Sequence, residues 1–187
     1  MRRVSPLTST EDDFLSFLED LYDTALEPAA WDAVAARLSV LLRADVAICT
    51  HTDRPAEVVA SLGIPDDAAS AYLSRFWRVD EWLDALASGR GRVAGTFDPD
   101  ADLRRSAYFN EFVRAWRWEH ALYAGVPSAP GRTTLLAAFR QTRHGPFEDE
   151  DVRLMQKLAP HLGRALRLRL RDQFAAVTSE TSPLRPT

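Results

Sequence analysis

The chain has 187 residues, a formal net charge of −4, and a composition that is 46% hydrophobic and 27% charged. These values are typical of one globular domain, and the acidic balance gives no signal for binding a nucleic-acid backbone. The single cysteine, Cys49, excludes a disulfide within the chain. No apolar run is long enough to span a membrane and no signal peptide is recognisable, so we expect a cytoplasmic protein without membrane contacts.

The first third of the chain predicts two helices followed by two strands. Residues 1–10 are expected to form a flexible lead-in to a first helix, which ends before Pro28. A second helix starts near Ala29. Alternating apolar residues over 45–50 and 57–62 then predict two strands joined by a tight turn.

The middle of the chain is predicted to be mostly helical. One helix opens at Pro65 and another restarts at Asp80. After a glycine-containing loop, a short strand is expected over 92–96 and a helix over 103–116.

The last third predicts a pair of strands and a long helix. The strands cover 120–126 and 133–141, and the helix runs over 148–176, ahead of a tail over 177–187 that we expect to be disordered. Hairpin-like pairs of strands between helices favour one antiparallel sheet of about five strands with helices packed on it. We therefore predict an α/β (α+β) domain over 11–176 with long terminal helices.

Aromatic residues are concentrated in the middle of the chain, which holds four of the five tryptophans. Pockets for small molecules are mostly apolar, with a few polar anchors, and Asp80 between two tryptophans fits such an anchor. Aromatic residues at helical spacing equally suit a core, and Asp80 equally suits a helix cap, so both alternatives stay open. The candidate ligand-binding residues are Tyr72, Trp77, Asp80, Trp82, Phe112 and Trp116.

The first and last helices both carry apolar stripes, which predict a homodimer interface. Arginines late in the last helix complement its dipole and are expected to form a solvated face, with contact to nucleic acid or membrane as the alternative. The residues assigned to the dimer interface are Leu18, Leu158, Leu162 and Ala165.

Residues 21–31, LYDTALEPAAW, resemble the opening of GAF-like sensor regions in LuxR-type helix-turn-helix transcription regulators. The resemblance continues through an apolar strand ending in Arg140, a turn with an acidic helix start over 145–148, and the helix motif LAPHLGRA over 158–165. It covers about residues 12–172. It implies a GAF/PAS-like domain that senses a small apolar or aromatic molecule and couples its binding to dimer geometry.

Two departures from that family limit what the resemblance implies. Glu81 stands where a proline is expected between Asp80 and Trp82, so we do not predict an acyl-homoserine-lactone site. The family also implies a C-terminal DNA-binding domain, whereas the residues after 176 are too few for three helices. We therefore expect no direct binding of nucleic acid by this chain. Whether such a domain was removed or was never present is left open.

Catalytic and metal-binding patterns are weak in this sequence. Cys49 and His51 are two residues apart on a predicted strand and so share a face, but no further cysteine or closely spaced histidine completes a metal site. We expect no metal, no cofactor and no enzymatic activity. Two alternatives to sensing remain: a ligand-free dimerisation or protein-interaction module, and a small enzyme that uses Cys49 or a histidine.

Overall fold

The computed structural model describes six segments of the chain, which are 7–24, 31–51, 57–80, 95–97, 106–129 and 131–180. Its α-helices are α1 (Leu7–Thr24), α2 (Trp31–Leu42), α3 (Asp66–Ser74) and α4 (Asp149–Glu180). Its strands are β1 (Asp45–His51), β2 (Glu57–Leu62), β3 (Gly95–Phe97), β4 (His120–Ala129) and β5 (Arg132–Arg140). A π-helix spans Tyr108–Val113, and single 3₁₀ turns span Phe76–Arg78, Arg114–Trp116 and Thr142–His144.

The five strands form one antiparallel sheet in the order β2-β1-β5-β4-β3. The central strand β5 pairs with β1 from Asp45 opposite Phe139 to His51 opposite Thr133, and with β4 along its other edge. The predicted antiparallel sheet of about five strands between helices, with long terminal helices, is confirmed.

Two apolar cores lie on the two faces of this sheet, because successive side chains of a strand point in opposite directions. On β5, Leu136 and Ala138 belong to the first core, whereas Leu135, Ala137 and Phe139 belong to the second. Helices α1, α2 and α4 cover the first core, and α3 and the π-helix cover the second. The sheet is therefore a layer shared by two separately packed halves.

Helix α4 lies close against β4 at Gly163. A Cβ at this position would lie 3.2 Å from the Cβ of Val126, which is tighter than ordinary packing. Three residues earlier, the exposed Pro160 stands inside the same helix. Its ring lacks the N–H that the carbonyl of Gln156 would accept, yet α4 continues through it.

A buried arginine joins the end of β5 to the elements around it. Arg140 forms an ion pair with Asp151 in the first turn of α4 and donates hydrogen bonds to the carbonyls of Leu42 and Pro146. Its guanidinium also lies 4.0 Å from the ring centroid of Phe147. These contacts fix α2, β5 and the start of α4 relative to one another.

Several elements differ from their predicted form. The helix expected over 103–116 is a π-helix over Tyr108–Val113 followed by a 3₁₀ turn. The wider π turn shifts residues around the helix axis, and four of its six side chains are buried. Helix α1 includes 7–10 and α4 continues to Glu180, beyond the predicted ends of both helices, while the domain limits themselves stay a prediction.

No helix within the described segments combines the length and the apolar character that crossing a membrane requires.

Candidate ligand-binding site

A cavity of about 40 Å³ lies in the second core, between the sheet and the helices that cover it. Strands β1, β4 and β5 supply one wall, and α3 and the π-helix supply the other. The lining is almost entirely apolar. Alternate residues of each strand face the cavity, and these are mostly small, aliphatic or aromatic. Its lining includes Ala47, Cys49, Tyr123, Leu135, Ala137 and Phe139 from the sheet, and Ala68, Ala69, Tyr72, Tyr108 and Phe112 from the helices.

Aromatic rings pack continuously around this cavity. Trp118 stacks on Phe139 with ring centroids 4.3 Å apart, and Phe112 meets Trp118 edge-on at 5.9 Å. Phe112 also stacks on Tyr108 at 5.4 Å. Such pairs stabilise beyond the area that they bury, so the rings form a preorganised wall.

Polar groups gather at one side of the aromatic wall. The Tyr72 hydroxyl donates a hydrogen bond to Oδ2 of Asp80 at 2.9 Å, and the same hydroxyl lies 3.5 Å from Nε2 of His51. The hydroxyls of Tyr108 and Tyr123 are 3.5 Å apart. Asp80 is only 2% exposed, so a carboxylate stands at the margin of an apolar core.

Burial keeps Cys49, His51 and Tyr72 uncharged near neutral pH. It raises the pKa of the Cys49 thiol to about 12, assisted by the negative charge of Asp80, and it lowers the pKa of His51 to about 4. Burial and the same carboxylate raise the pKa of Tyr72 well above its ordinary value. A thiol held in its protonated form is a poor nucleophile, which argues against catalysis by Cys49.

The structure brings only part of the predicted ligand site together. Tyr72 and Phe112 line the cavity, and Asp80 is tied to it through Tyr72. Trp77 and Trp116 are half-buried and pack against the second core without lining the cavity. Trp82 lies outside the described residues. The core and pocket interpretations therefore both apply, since the aromatic cluster is a core that contains a cavity.

Sequence reasoning missed the sheet side of the site. Tyr123, Ala137 and Phe139 line the cavity from β4 and β5, whereas all the predicted ligand-binding residues belong to the helical middle of the chain. The strand predicted over 133–141 could have indicated them. Alternate side chains of a strand point to opposite faces of the sheet, so every second residue of this strand faces away from the terminal helices.

Three of the four residues assigned to a dimer interface are buried within the single chain. Leu158, Leu162 and Ala165 are at most 1% exposed and pack in the first core, while Leu18 is half-buried against it. A side chain without exposed surface cannot contact a second copy. The homodimer stays a prediction, and an interface on these helices requires their outward faces.

Among the residues that the structure describes, no group of three or more histidine, cysteine, aspartate or glutamate side chains could hold a metal ion.

Comparison with known proteins rests on structure, because neither a protein-family model nor a curated protein sequence matches the chain. The ligand-binding domain of VqsR from Pseudomonas aeruginosa is 19% identical, with a TM-score of 0.64 over 83% of this chain and 95% of that one. CepR2 from Burkholderia cenocepacia, an N-acylhomoserine-lactone-dependent LuxR-family transcription factor, is 14% identical, with a TM-score of 0.59 over 84% and 98%. A phycocyanobilin-bound GAF domain of a cyanobacterial phytochrome is also 14% identical, with a TM-score of 0.57 over 87% and 96%.

The chain has a GAF-like fold. The fold implied by the sequence resemblance is thereby confirmed, and it is the fold that LuxR-type ligand-binding domains share with GAF domains. At 14–19% identity the likeness concerns the fold, so what this GAF-like domain binds has to be argued from its own residues.

Proposed function

We propose that this GAF-like domain is a small-molecule-sensing regulatory domain, which binds an apolar or aromatic ligand between the sheet and the α3 and π-helix layer. The observation that carries the proposal is the cavity inside the second core, which has an apolar lining and polar groups on one side. That combination is the usual composition of a small-molecule site. Asp80 and Tyr72 are proposed as polar anchors, and Phe112 as part of the apolar wall.

The size of the cavity bears on how binding occurs. A volume of 40 Å³ exceeds the roughly 10–15 Å³ that one water requires, but a molecule larger than a few waters needs more room. Binding must therefore displace part of the wall. The helical wall is the part more readily displaced, because the sheet strands are held by ladder hydrogen bonds on both sides. A ligand would then favour a conformation in which α3 or the π-helix stands further from the sheet.

A route from the cavity to the last helix runs through the end of β5. Phe139 lines the cavity, and the next residue, Arg140, holds Asp151 of α4. A reorientation of the Phe139 ring by ligand would be transmitted to this ion pair, because the two residues are adjacent on one strand. We propose that ligand binding in this way biases the position of α4, and so the geometry of a homodimer formed through the terminal helices.

The chemistry of the ligand is proposed from the lining. CepR2 is dependent on N-acylhomoserine lactone, and the VqsR domain is a ligand-binding domain. In this chain Glu81 follows Asp80 where the related pattern has proline, so a lactone is not proposed. The proposed ligand is a small apolar or aromatic molecule.

A ligand-free interaction module is the second candidate. The small volume of the cavity favours it, as do two large apolar side chains that stand in solvent on the terminal-helix side: Leu15 is 52% exposed and Val40 is 76% exposed. In this alternative the aromatic cluster is core alone, and the outward faces of α1 and α2 bind a partner.

Native mass spectrometry of the purified chain, followed by the denatured sample, separates the two candidates. A dimer carrying extra mass that leaves on denaturation is the expected result for a sensor. A dimer without added mass favours the interaction module, and a monomer contradicts coupling through dimer geometry.

Substitution of Asp80 supplies a second test. In Asp80→Ala the free energy of ligand binding should decrease by more than the free energy of unfolding. Phe76→Leu is a matched control, because Phe76 is a buried member of the same core that does not line the cavity. Equal losses of binding and stability in Asp80→Ala would assign Asp80 to the core instead.

A further inference from the structure

His51 has a buried ring nitrogen that the fold leaves without a partner. The side chain is 4% exposed, and among the residues that the structure describes none forms a hydrogen bond with its Nδ1. Buried polar atoms are normally paired, since leaving one unpaired costs about 1–3 kcal/mol. Nδ1 of this histidine can therefore still form a hydrogen bond. Its neighbours determine whether it would donate or accept.

The hydrogen bonds around Tyr72 determine which nitrogen of His51 carries the proton. The Tyr72 hydroxyl has one hydrogen and donates it to Asp80 at 2.9 Å. At the longer contact of 3.5 Å to Nε2 of His51, the tyrosine oxygen must then accept, so that Nε2 is the donor. In a neutral imidazole with Nε2–H, the other nitrogen carries a lone pair. The unpartnered Nδ1 is thus an acceptor.

His51 stands beside the cavity. It lies two residues beyond Cys49 on the same face of β1, and its ring meets that of Tyr72 edge-on at a centroid distance of 6.0 Å. Both Cys49 and Tyr72 line the cavity. A ligand that extends along β1 beyond Cys49 would therefore meet the imidazole.

We propose that Nδ1 of His51 accepts a hydrogen bond from the ligand of this domain, and that the ligand is therefore an apolar molecule bearing a hydroxyl or N–H donor. This inference rests on the proposed sensing function and narrows it to a ligand class. Burial holds the pKa of His51 at about 4, so the imidazole stays neutral and keeps this lone pair at physiological pH. A purely hydrocarbon ligand would leave Nδ1 unpaired and would bind more weakly.

The test uses two probes of nearly equal shape, 4-ethylphenol and 4-ethyltoluene, which differ by a hydroxyl in place of a methyl group. Titrations followed by ¹H–¹⁵N NMR give their affinities for the full chain. We expect the phenol to bind about three- to tenfold more tightly, the range that one net hydrogen bond supplies. Equal affinities would overturn the assignment of His51 while leaving the pocket standing. Binding of neither probe would overturn both proposals.

Two amide variants identify the nitrogen. The side-chain amide of asparagine reaches about as far as Nδ1, and that of glutamine about as far as Nε2. His51→Asn should therefore retain the preference for the phenol, and His51→Gln should lose it. A preference that survives in both His51→Gln and His51→Phe would mean that the phenol donates to another acceptor, with the carboxylate of Asp80 as the candidate. That result would contradict the inference.

The protonation of the free protein is an independent readout. Long-range ¹H–¹⁵N correlation spectra distinguish the two neutral forms of a histidine ring. The Nε2–H form is expected for His51 in the ligand-free wild-type chain, and an Nδ1–H form would contradict the inference.

Discussion

The guanidinium of Arg140 meets both carboxylate oxygens of Asp151, at 2.9 and 3.1 Å, and both side chains are buried. Asp151 also accepts a hydrogen bond from the backbone N–H of Glu148 at 2.9 Å, so the carboxylate caps the helix that it anchors. A buried pair with this many partners is worth little compared with an apolar substitute, but the loss of one partner leaves the other as an isolated buried charge.

Asp151→Asn should therefore destabilise the domain strongly. We expect a loss of about 3–5 kcal/mol in the free energy of unfolding, because Arg140 would keep its charge in a buried site. Urea denaturation measures the change. The control is Asp20→Asn, which breaks the ion pair with Arg37 on the surface and should cost no more than about 1 kcal/mol. Similar losses in the two variants would show that burial of the Arg140 pair is incomplete in solution.

Neighbouring alanines on β5 should respond oppositely to enlargement. Ala137 lines the cavity, whereas Ala138 is fully buried in the first core. Ala137→Val should fill empty space, change stability by less than about 1 kcal/mol, and abolish retention of 4-ethylphenol. Ala138→Val should cost about 1–3 kcal/mol through overpacking. Thermal unfolding with a parallel binding titration checks both, and a greater loss for Ala137→Val would mean that the cavity closes in solution.

His51 should make the domain sensitive to mild acid. Its pKa is about 4 in the fold and about 6.5 in the unfolded chain, so between these values the unfolded state binds more protons. Stability is therefore undiminished by this group above pH 6.5 and falls as the pH drops toward 4, by up to about 3 kcal/mol. His51→Phe has no titratable ring at this position and should not show this loss of stability.

Urea midpoints at pH 7 and pH 4.5 measure the difference. Carboxylates titrate in both proteins, so the informative quantity is the excess loss in the wild type. If the variant loses as much stability as the wild type, His51 is solvated in solution and its pKa is close to the ordinary value.

In the terminal helices, buried residues should contribute to folding and exposed residues to association. Leu162→Ala should lower the free energy of unfolding by about 2–5 kcal/mol, because Leu162 is buried in the first core. Leu15→Asp should change stability by less than about 1 kcal/mol, because Leu15 is mostly exposed, but should weaken a dimer formed through the outward face of α1. Analytical ultracentrifugation reads the association. An unchanged oligomeric state in Leu15→Asp would move the interface away from this face.

Local patterns in the sequence predicted the sheet well. The strands predicted over 45–50 and 57–62 match β1 and β2 to within a residue at each end, because turn residues at Pro55 and Gly63 mark where they stop. The long last helix was also predicted, despite Pro160, since its apolar stripe continues on both sides of that residue.

Tertiary relationships in the site could not be read in the same way. A helical period predicts that Tyr72 and Phe112 face inward, but it cannot tell which strand residues stand opposite them. The π-helix over Tyr108–Val113 was not predicted, because its period is wider than the 3.6 residues per turn of an α-helix. Likewise, the stripe of Leu158 and Leu162 was assigned to a partner chain although the sheet already covers it. An apolar stripe indicates that one face of a helix is buried, but it does not show whether the same chain or a partner covers that face.

The close approach at Gly163 gives α4 the mechanics of a lever. The Arg140–Asp151 pair grips the helix on one side of this point, and on the other side the helix continues for 17 residues to Glu180, or about 25 Å. A tilt of about 5° around Gly163 would move that far end by about 2 Å, and the arm of about 18 Å that runs back to Asp151 by about 1.6 Å in the opposite direction. A shift of the Arg140–Asp151 pair would thus reach the distal end of the helix at nearly the same amplitude and with the opposite sign.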